Sequence, residues 1–215
     1  MTSINRQTDF WDRAAWKKSF TLPLDWGLLE KHASKTGPIL DCGCGYGRSS
    51  QLLHEKGYTH IVGVDVSAEM IRRGKKEYPH LNLRWMAGSR FLEDDGFFDA
   101  AILIGVLTSI PGNEGQQALM REIHRVLRPG GCLFISDFPL QKDKRNLLRY
   151  QENETRHGRY GVFSLPEGVV LRHHDMQWIE TLTSDFKETQ ISFTPVQTMN
   201  GHEATAFLFS GKKIS

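Results

Sequence analysis

The feature that most constrains this chain is a run of three alternate glycines in Ile39-Leu40-Asp41-Cys42-Gly43-Cys44-Gly45-Tyr46-Gly47-Arg48. The run closes a short apolar stretch and leads directly into residues of helical character. Glycine lacks the Cβ that would hold a ligand off the backbone and reaches positive φ at little cost, so such a turn lets a ligand lie against main chain. Twenty residues beyond Gly45 stands Asp65, at the end of a second apolar stretch. An acid at that distance can accept hydrogen bonds from both hydroxyls of a ribose. Together the two features predict a site for a nucleoside-bearing cofactor.

Spacing narrows the cofactor. A dinucleotide turn needs G-x-G-x-x-G, but counted from Gly43 its last position falls on Arg48, and counted from Gly45 it falls on Ser50. A phosphate loop needs G-K-[ST], and Gly47 is followed by Arg48-Ser49. Asp41, two residues ahead of the first glycine, would repel a pyrophosphate and suits a cationic ligand.

Around this turn, apolar runs of strand length at 38–42, 60–65, 81–87, 97–104 and 131–136 alternate with helical stretches at 48–56, 68–77 and 116–127. That alternation predicts a parallel sheet built from βαβ units. Arg128-Pro129-Gly130-Gly131 is expected to stop the last of these helices. Beyond residue 138 the texture turns polar over 141–159, then turn-rich at 164–168. Helical spacing returns at 177–183, and two β-rich stretches, 186–196 and 203–209, flank the turn-like Met199-Asn200-Gly201, which predicts an antiparallel pair.

D-C-G-C-G-Y-G, then V-G-V-D-V-S, then F-F-D-A-A-I-L, then L-R-P-G-G resembles the successive motifs of class I S-adenosylmethionine-dependent methyltransferases over residues 36–138. The resemblance implies an α/β, doubly wound, mostly parallel seven-stranded sheet with a C-terminal antiparallel hairpin. It also implies S-adenosyl-L-methionine as cofactor and S-adenosyl-L-homocysteine as product. In its terms Gly43, Cys44, Gly45 and Gly47 form the turn that cradles the methionyl and ribose parts, and Asp41 draws the α-amino group. Asp65 holds the ribose, Val66 packs on adenine, and Ile104 and Gly105 line the sulfonium side. Relatives often read the adenine amino group with an acid after the third strand; here Gly88-Ser89-Arg90 stands there, and Ser89 with Arg90 is expected to take that place. A single domain over 1–215 follows, with an N-terminal flap at 1–35, the cofactor core at 36–138, a lid-like insertion at 139–175 and a C-terminal helix and strands at 176–215.

Composition excludes other classes. Lys+Arg 27 against Asp+Glu 25 leaves too little basic excess for a broad grip on nucleic acid. Twelve Phe, five Trp and five Tyr are more aromatic surface than a disordered chain carries. Three cysteines make no disulfide framework and suggest a reducing, cytoplasmic setting. No apolar run approaches the ~20 residues that span a bilayer, and the N-terminus has no apolar signal core, so no membrane association is expected. Cys42-x-Cys44 lacks the two further ligands of a closed zinc site, so no metal is expected.

Methyl transfer from a sulfonium is an in-line displacement, in which positioning lowers most of the barrier and a base is needed only where the acceptor keeps its proton. His173 and His174 are the candidates for that base; alternatively both are surface residues and the following Asp175 caps a helix. Within the insertion, Arg149 and Arg156 are candidates to bind a carboxylate or phosphate of the acceptor, with Tyr160 nearby, and Trp11 is a candidate on the flap. The basic excess falls in residues 1–35 and 139–175, the segments expected to cover the site, which favours an acceptor with some negative charge. The expected acceptor is a small molecule presenting an O, N or S nucleophile, and the enzyme a monomer or weak homo-oligomer. The alternatives are a tRNA or protein side-chain acceptor, or a cofactor-binding partner without chemistry of its own.

Overall fold

In the computed structural model, which describes residues 3–214, the first strand β1 (Ile39–Cys42) is buried along its whole length. It pairs in parallel with β2 (Ile61–Asp65) on one side and β4 (Phe98–Ile104) on the other. Helices cover both faces of the sheet at this central strand, which is why it reads as a nearly continuous apolar run rather than an alternating one. β3 (Asn82–Trp85) extends the sheet beyond β2, and β5 (Leu127–Asp137) extends it beyond β4. The order is completed by β9 (Glu203–Lys213) and β8 (Phe186–Gln197), giving β3-β2-β1-β4-β5-β9-β8. β9 runs antiparallel to both β5 and β8. The expected seven-stranded, mostly parallel sheet with its antiparallel C-terminal hairpin is the observed architecture.

Period-two alternation sends neighbouring residues to opposite faces of the sheet. Leu40, Cys42, Val62 and Val64 join α5 (Asn113–Val126) and α7 (Met176–Leu182) through Ile123, Val126 and Ile179. Ile39, Ile61, Ala100 and Ile102 meet α2 (Trp26–His32) and α3 (Arg48–Glu55) through Leu29 and Leu53. Each such fully buried aliphatic side chain contributes roughly 1.5–3 kcal/mol, so these two clusters dominate the stability of the core. α4 (Ala68–Glu77) completes the layer beside β2 and β3, capped by Ser67, whose hydroxyl accepts from Met70 N–H.

Two local differences from expectation have clear causes. Arg128-Pro129-Gly130-Gly131 lies inside β5: the register jumps from Phe98 opposite Leu127 to Ala100 opposite Cys132, so these residues bulge out of the ladder. Arg128 Nε donates to Asp99 Oδ1 at 2.7 Å and fastens the bulge. The polar stretch 141–159 holds a fourteen-residue helix, α6 (Lys144–His157), capped by Asp143 at its start and by left-handed Gly158 at its end. Behind it, β6 (Val162–Ser164) and β7 (Val170–Arg172) form a separate hairpin across the expected turn. At the N-terminus, α1 (Ser3–Ala14) packs on this hairpin through Phe10, Ala14 and Val169. Among the described residues no helix is long and apolar enough to cross a membrane.

Candidate active site

β1 lies between β2 and β4, so its C-terminal end is where the chain order of the sheet reverses. In open α/β sheets ligands sit outside the strand ends at such a point. The turn that leaves β1 is built on left-handed glycines: Gly43, Gly45 and Gly47 have φ of 67, 56 and 86°. Gly45 is the most demanding of the three, because a Cβ there would lie 2.2 Å from the ring of Phe20. Gly47 is the N-cap of α3 and has no side chain to supply a cap.

Asp65 ties this turn to the end of β2. Its Oδ2 accepts from Gly45 N–H at 2.8 Å and its Oδ1 from Ser67 N–H at 2.8 Å. An ionised carboxylate has about four lone-pair directions, so each oxygen keeps capacity for a further donor, which is what two ribose hydroxyls require. Burial pushes its pKa up to about 6, against the hydrogen bonds that lower it. Asp41 lies under the turn, 1% exposed, its Oδ2 accepting from the Ser50 hydroxyl at 2.6 Å, and burial pushes it up to about 6 as well. Cys42, Cys44 and Cys132 are buried free thiols, and among the described residues no cluster of three or more His, Cys, Asp or Glu side chains is placed to hold a metal ion.

Val66 is exposed just beyond Asp65, and the Trp85 indole N–H donates to its carbonyl at 3.0 Å. Sequence reasoning missed Trp85. The signal was available in the pairing of β3 with β2, which sets Trp85 opposite Asp65. Ser89 and Arg90 are placed differently from the turn: they line an open cleft of about 430 Å³ against α5, with Ala118, Arg121, Glu122 and Arg125. Ile104 and Gly105 end β4 beside the turn, where Val106 packs against Gly43 and Leu22 approaches Gly105.

A cover crosses this edge of the sheet. Phe20 stacks on Tyr46 with ring centroids 5.3 Å apart, and Trp11 packs edge-on against Phe20. Asp12 Oδ1 accepts from the Ser67 hydroxyl at 2.6 Å and from Glu69 N–H. Arg73 donates to the carbonyls of Ala15 and Lys18, and Arg48 donates to that of Leu22. Gln7 joins α1 to both Ser109 and Val170, and Lys18 reaches Asn200 in the β8–β9 turn and Glu167 in the β6–β7 turn.

Residues 39–131 match the family model for a methyltransferase domain. The glycine turn, Asp65 and the switch in chain order all fall inside that span. Over those residues the chain carries a methyltransferase domain of the class I S-adenosylmethionine-dependent kind. It is similar to a trans-aconitate 2-methyltransferase from Azoarcus sp. (36% identity over 99 residues, 45% of this chain and 37% of that protein). It is also similar to an eEF1A lysine and N-terminal methyltransferase from Xenopus laevis (30% over 115 residues, 49% of this chain and 17% of that protein). The chain thus spans less than half the length of these two relatives. A solved S-adenosylmethionine-dependent methyltransferase from Methanosarcina mazei shares the fold with a TM-score of 0.81, at 24% identity, covering 88% of this chain and 98% of that one.

The two histidines are interior posts. His174 is fully buried; its Nδ1 lies 3.1 Å from Phe138 O, and its Nε2 lies 2.9 Å from the Gln116 amide nitrogen, which also donates to the carbonyls of Leu107 and Ile110. Trp178 Nε1–H in turn donates to Gln116 Oε1 and fixes the orientation of that amide. His173 is 6% exposed, and its Nδ1 faces the Tyr150 hydroxyl. That hydroxyl already accepts from Gln141 N–H, so it donates its own proton to His173. Both rings are thus enclosed in buried polar networks, and burial holds both neutral, His174 with its pKa down at about 3. The expected base is not offered by either ring as placed. Asp175 caps α7, accepting from Gln177 N–H, as the alternative reading had it.

The lid residues divide. Arg149 is half-buried with its guanidinium 3.6 Å from the Phe163 ring centre, whereas Arg156 is exposed on the last turn of α6. Tyr160 packs edge-on against Tyr150 at 5.2 Å. Trp11 lies over the glycine turn with Phe20, not beside the lid helix.

Proposed function

We propose that this chain transfers a methyl group from S-adenosylmethionine to an O, N or S nucleophile of a small molecule. Bound at the turn, the cofactor would supply an electrophilic methyl on a sulfonium. Asp65 would accept from the ribose hydroxyls, Val66 and Trp85 would flank the adenine, Asp41 would attract the ammonium end, and Ile104 with Gly105 would border the reacting side. Ser89 and Arg90 are left with a lesser part, since they face α5. The observation that carries the small-molecule reading is the cross-linking of the cover. Gln7 and Lys18 knit α1, the β6–β7 hairpin and the β8–β9 turn together over the strand ends. A surface closed this way favours a ligand that can be enclosed over a protein segment that must be threaded. With both histidines buried in polar networks, it also favours an acceptor that already carries a free lone pair at neutral pH.

The relatives named above include enzymes of a small acid and of a protein, so a protein side chain is the reading to test against. Incubation with S-adenosylmethionine labelled in its methyl group and a cell extract, followed by size separation, is expected to place the label below 3 kDa. Label retained on protein or RNA would replace this reading with the macromolecular one.

Cofactor affinity should depend on pH through Asp65. Its carboxylate must be ionised to accept two hydroxyl protons, and burial raises its pKa to about 6. Affinity for S-adenosylhomocysteine is therefore expected to be constant above pH 7 and to weaken as pH falls through 6 to 5, measured by titration calorimetry. Equal affinity at pH 5 and pH 7.5 would contradict it.

A further inference from the structure

We propose that the inward face of α6 recognises an oxyanion of the methyl acceptor, a carboxylate or a phosphate, through the guanidinium of Arg149, with Asn146 Oδ1 accepting from a neighbouring hydroxyl or N–H of the same ligand. The proposal rests on the methyl-transfer reading above and names a class of acceptor for it.

Three observations converge. The first is an uncompensated cation. Arg149 has no ion-pair partner among the described residues; its surroundings are the Phe163 ring at 3.6 Å, the Tyr150 hydroxyl and, at longer range, Asp143 and Arg145. Its Nε is buried and lacks a hydrogen-bond partner. A buried donor left unsatisfied costs about 1–3 kcal/mol, so such groups are uncommon unless something else meets them.

The second is a matching orphan one turn away. Asn146 is fully buried, its amide N–H is held by Asp143, and its Oδ1 has no partner. Residues three apart on a helix are neighbours on one face, so the orphaned acceptor and the orphaned donor share the inward side of α6. A ligand with an anionic end and an adjacent polar hydrogen satisfies both at once.

The third is location. Phe138 directly follows the last residue of β5, and its ring stacks on His173 at 5.3 Å. His173 packs edge-on against Phe163 at 5.0 Å, and Phe163 carries Arg149. This chain of contacts places Arg149 at the C-terminal edge of β5, the strand next to β4, whose end bears Ile104 and Gly105. The guanidinium carbon lies over the Phe163 ring at 3.6 Å, and a planar fork held there suits a carboxylate or phosphate in a way that a lysine ammonium would not reproduce. Arg156, exposed two turns further along α6, has none of these features and serves as the internal control.

The test uses the full chain saturated with S-adenosylhomocysteine at fixed ionic strength, titrated with inorganic phosphate, with citrate and with glycerol as a neutral probe. Wild type is expected to bind phosphate or citrate saturably at one site and to ignore glycerol. The tighter of the two identifies the oxyanion. Arg149→Gln and Arg149→Met are each expected to weaken that binding at least tenfold, Arg149→Lys to fall between, and Arg156→Gln to match wild type, all with unchanged affinity for S-adenosylhomocysteine. Equal loss in the Arg149 and Arg156 variants would reduce the effect to general surface charge and overturn the proposal. So would wild-type binding in both Arg149→Gln and Arg149→Met, or no binding of either anion to the wild type. If the wild type failed to bind S-adenosylhomocysteine, the methyl-transfer reading would fall and this proposal with it; intact cofactor binding without anion binding would sink this proposal alone.

Discussion

Asp65→Ala is expected to weaken S-adenosylhomocysteine binding at least a hundredfold, which in a calorimeter amounts to loss of a measurable signal. Two effects add. The carboxylate would be lost as acceptor for two ribose hydroxyls, and hydrogen bonds to a charged group are each worth about 1.5–3 kcal/mol, so together they span roughly two to four powers of ten in affinity. The glycine turn would also lose its fastening. Gly45 N–H and Ser67 N–H both end on this carboxylate, and without it the turn is free to shift relative to β2. Asp65→Asn keeps one carbonyl oxygen and is expected to bind with intermediate affinity. Folding should survive, because burial of this charge is itself unfavourable, as the raised pKa records. Trp85, half exposed and hydrogen-bonded beside Val66, offers a fluorescence signal for the same titration. Wild-type affinity in Asp65→Ala would remove the ribose assignment.

Why the cofactor half of the chain was readable and the acceptor half was not follows from the physics of each. In β1, β2 and β4 the apolar runs are long because both faces of a parallel sheet are covered, and the turn after β1 has to be glycine because its φ values are positive. Both requirements act on single positions, so they show in the sequence. α6 was legible only as a solvated helix face, because its buried face is polar: Asn146, Arg149 and Tyr150 replace the aliphatic stripe that periodicity detects. The bulge at Arg128 to Gly131 escaped because Pro-Gly-Gly ends helices in most settings, and only the register between β4 and β5 shows the strand beginning at Leu127.

The surroundings of the two histidines were illegible for a related reason. Adjacent histidines ahead of a capping Asp look like a surface pair, yet His173 and His174 point to opposite sides of one extended segment and each meets a different buried network. One is Tyr150 with Gln141, the other Gln116 with Trp178. Partners 23 and 58 residues away set their roles, and no local spacing encodes that. The same networks couple cover to core. Tyr150 belongs to α6 and Gln116 to α5, so His173 and His174 link the lid helix to the sheet layer across two consecutive residues.

His174→Ala is accordingly expected to act on stability before it acts on catalysis. The substitution leaves Phe138 O without its imidazole contact, removes the ring that packs against the Gln116 amide, and opens a cavity next to Phe207. Losses of this kind sum to about 3–4 kcal/mol, or roughly a 6–15 °C drop in melting temperature for a domain of this size. The pH dependence separates this role from that of a surface or catalytic histidine. Burial lowers the pKa of His174 in the folded chain to about 3, below its ordinary value near 6.5, so the unfolded chain binds the proton more readily. Its stabilising contribution is therefore complete above about pH 6.5 and drains away as pH falls toward 3. Asp41 and Asp65, raised to about 6, act in the opposite sense and are common to both proteins, so they cancel in the comparison; Asp137, raised to about 7 and 4.0 Å from His174 Nδ1, is the one buried acid whose surroundings the substitution alters. The gap in melting temperature between wild type and His174→Ala should be widest at pH 7.5 and narrow steadily down to pH 4.5. A gap that does not change with pH, or none at any pH, would place His174 outside the buried network described here.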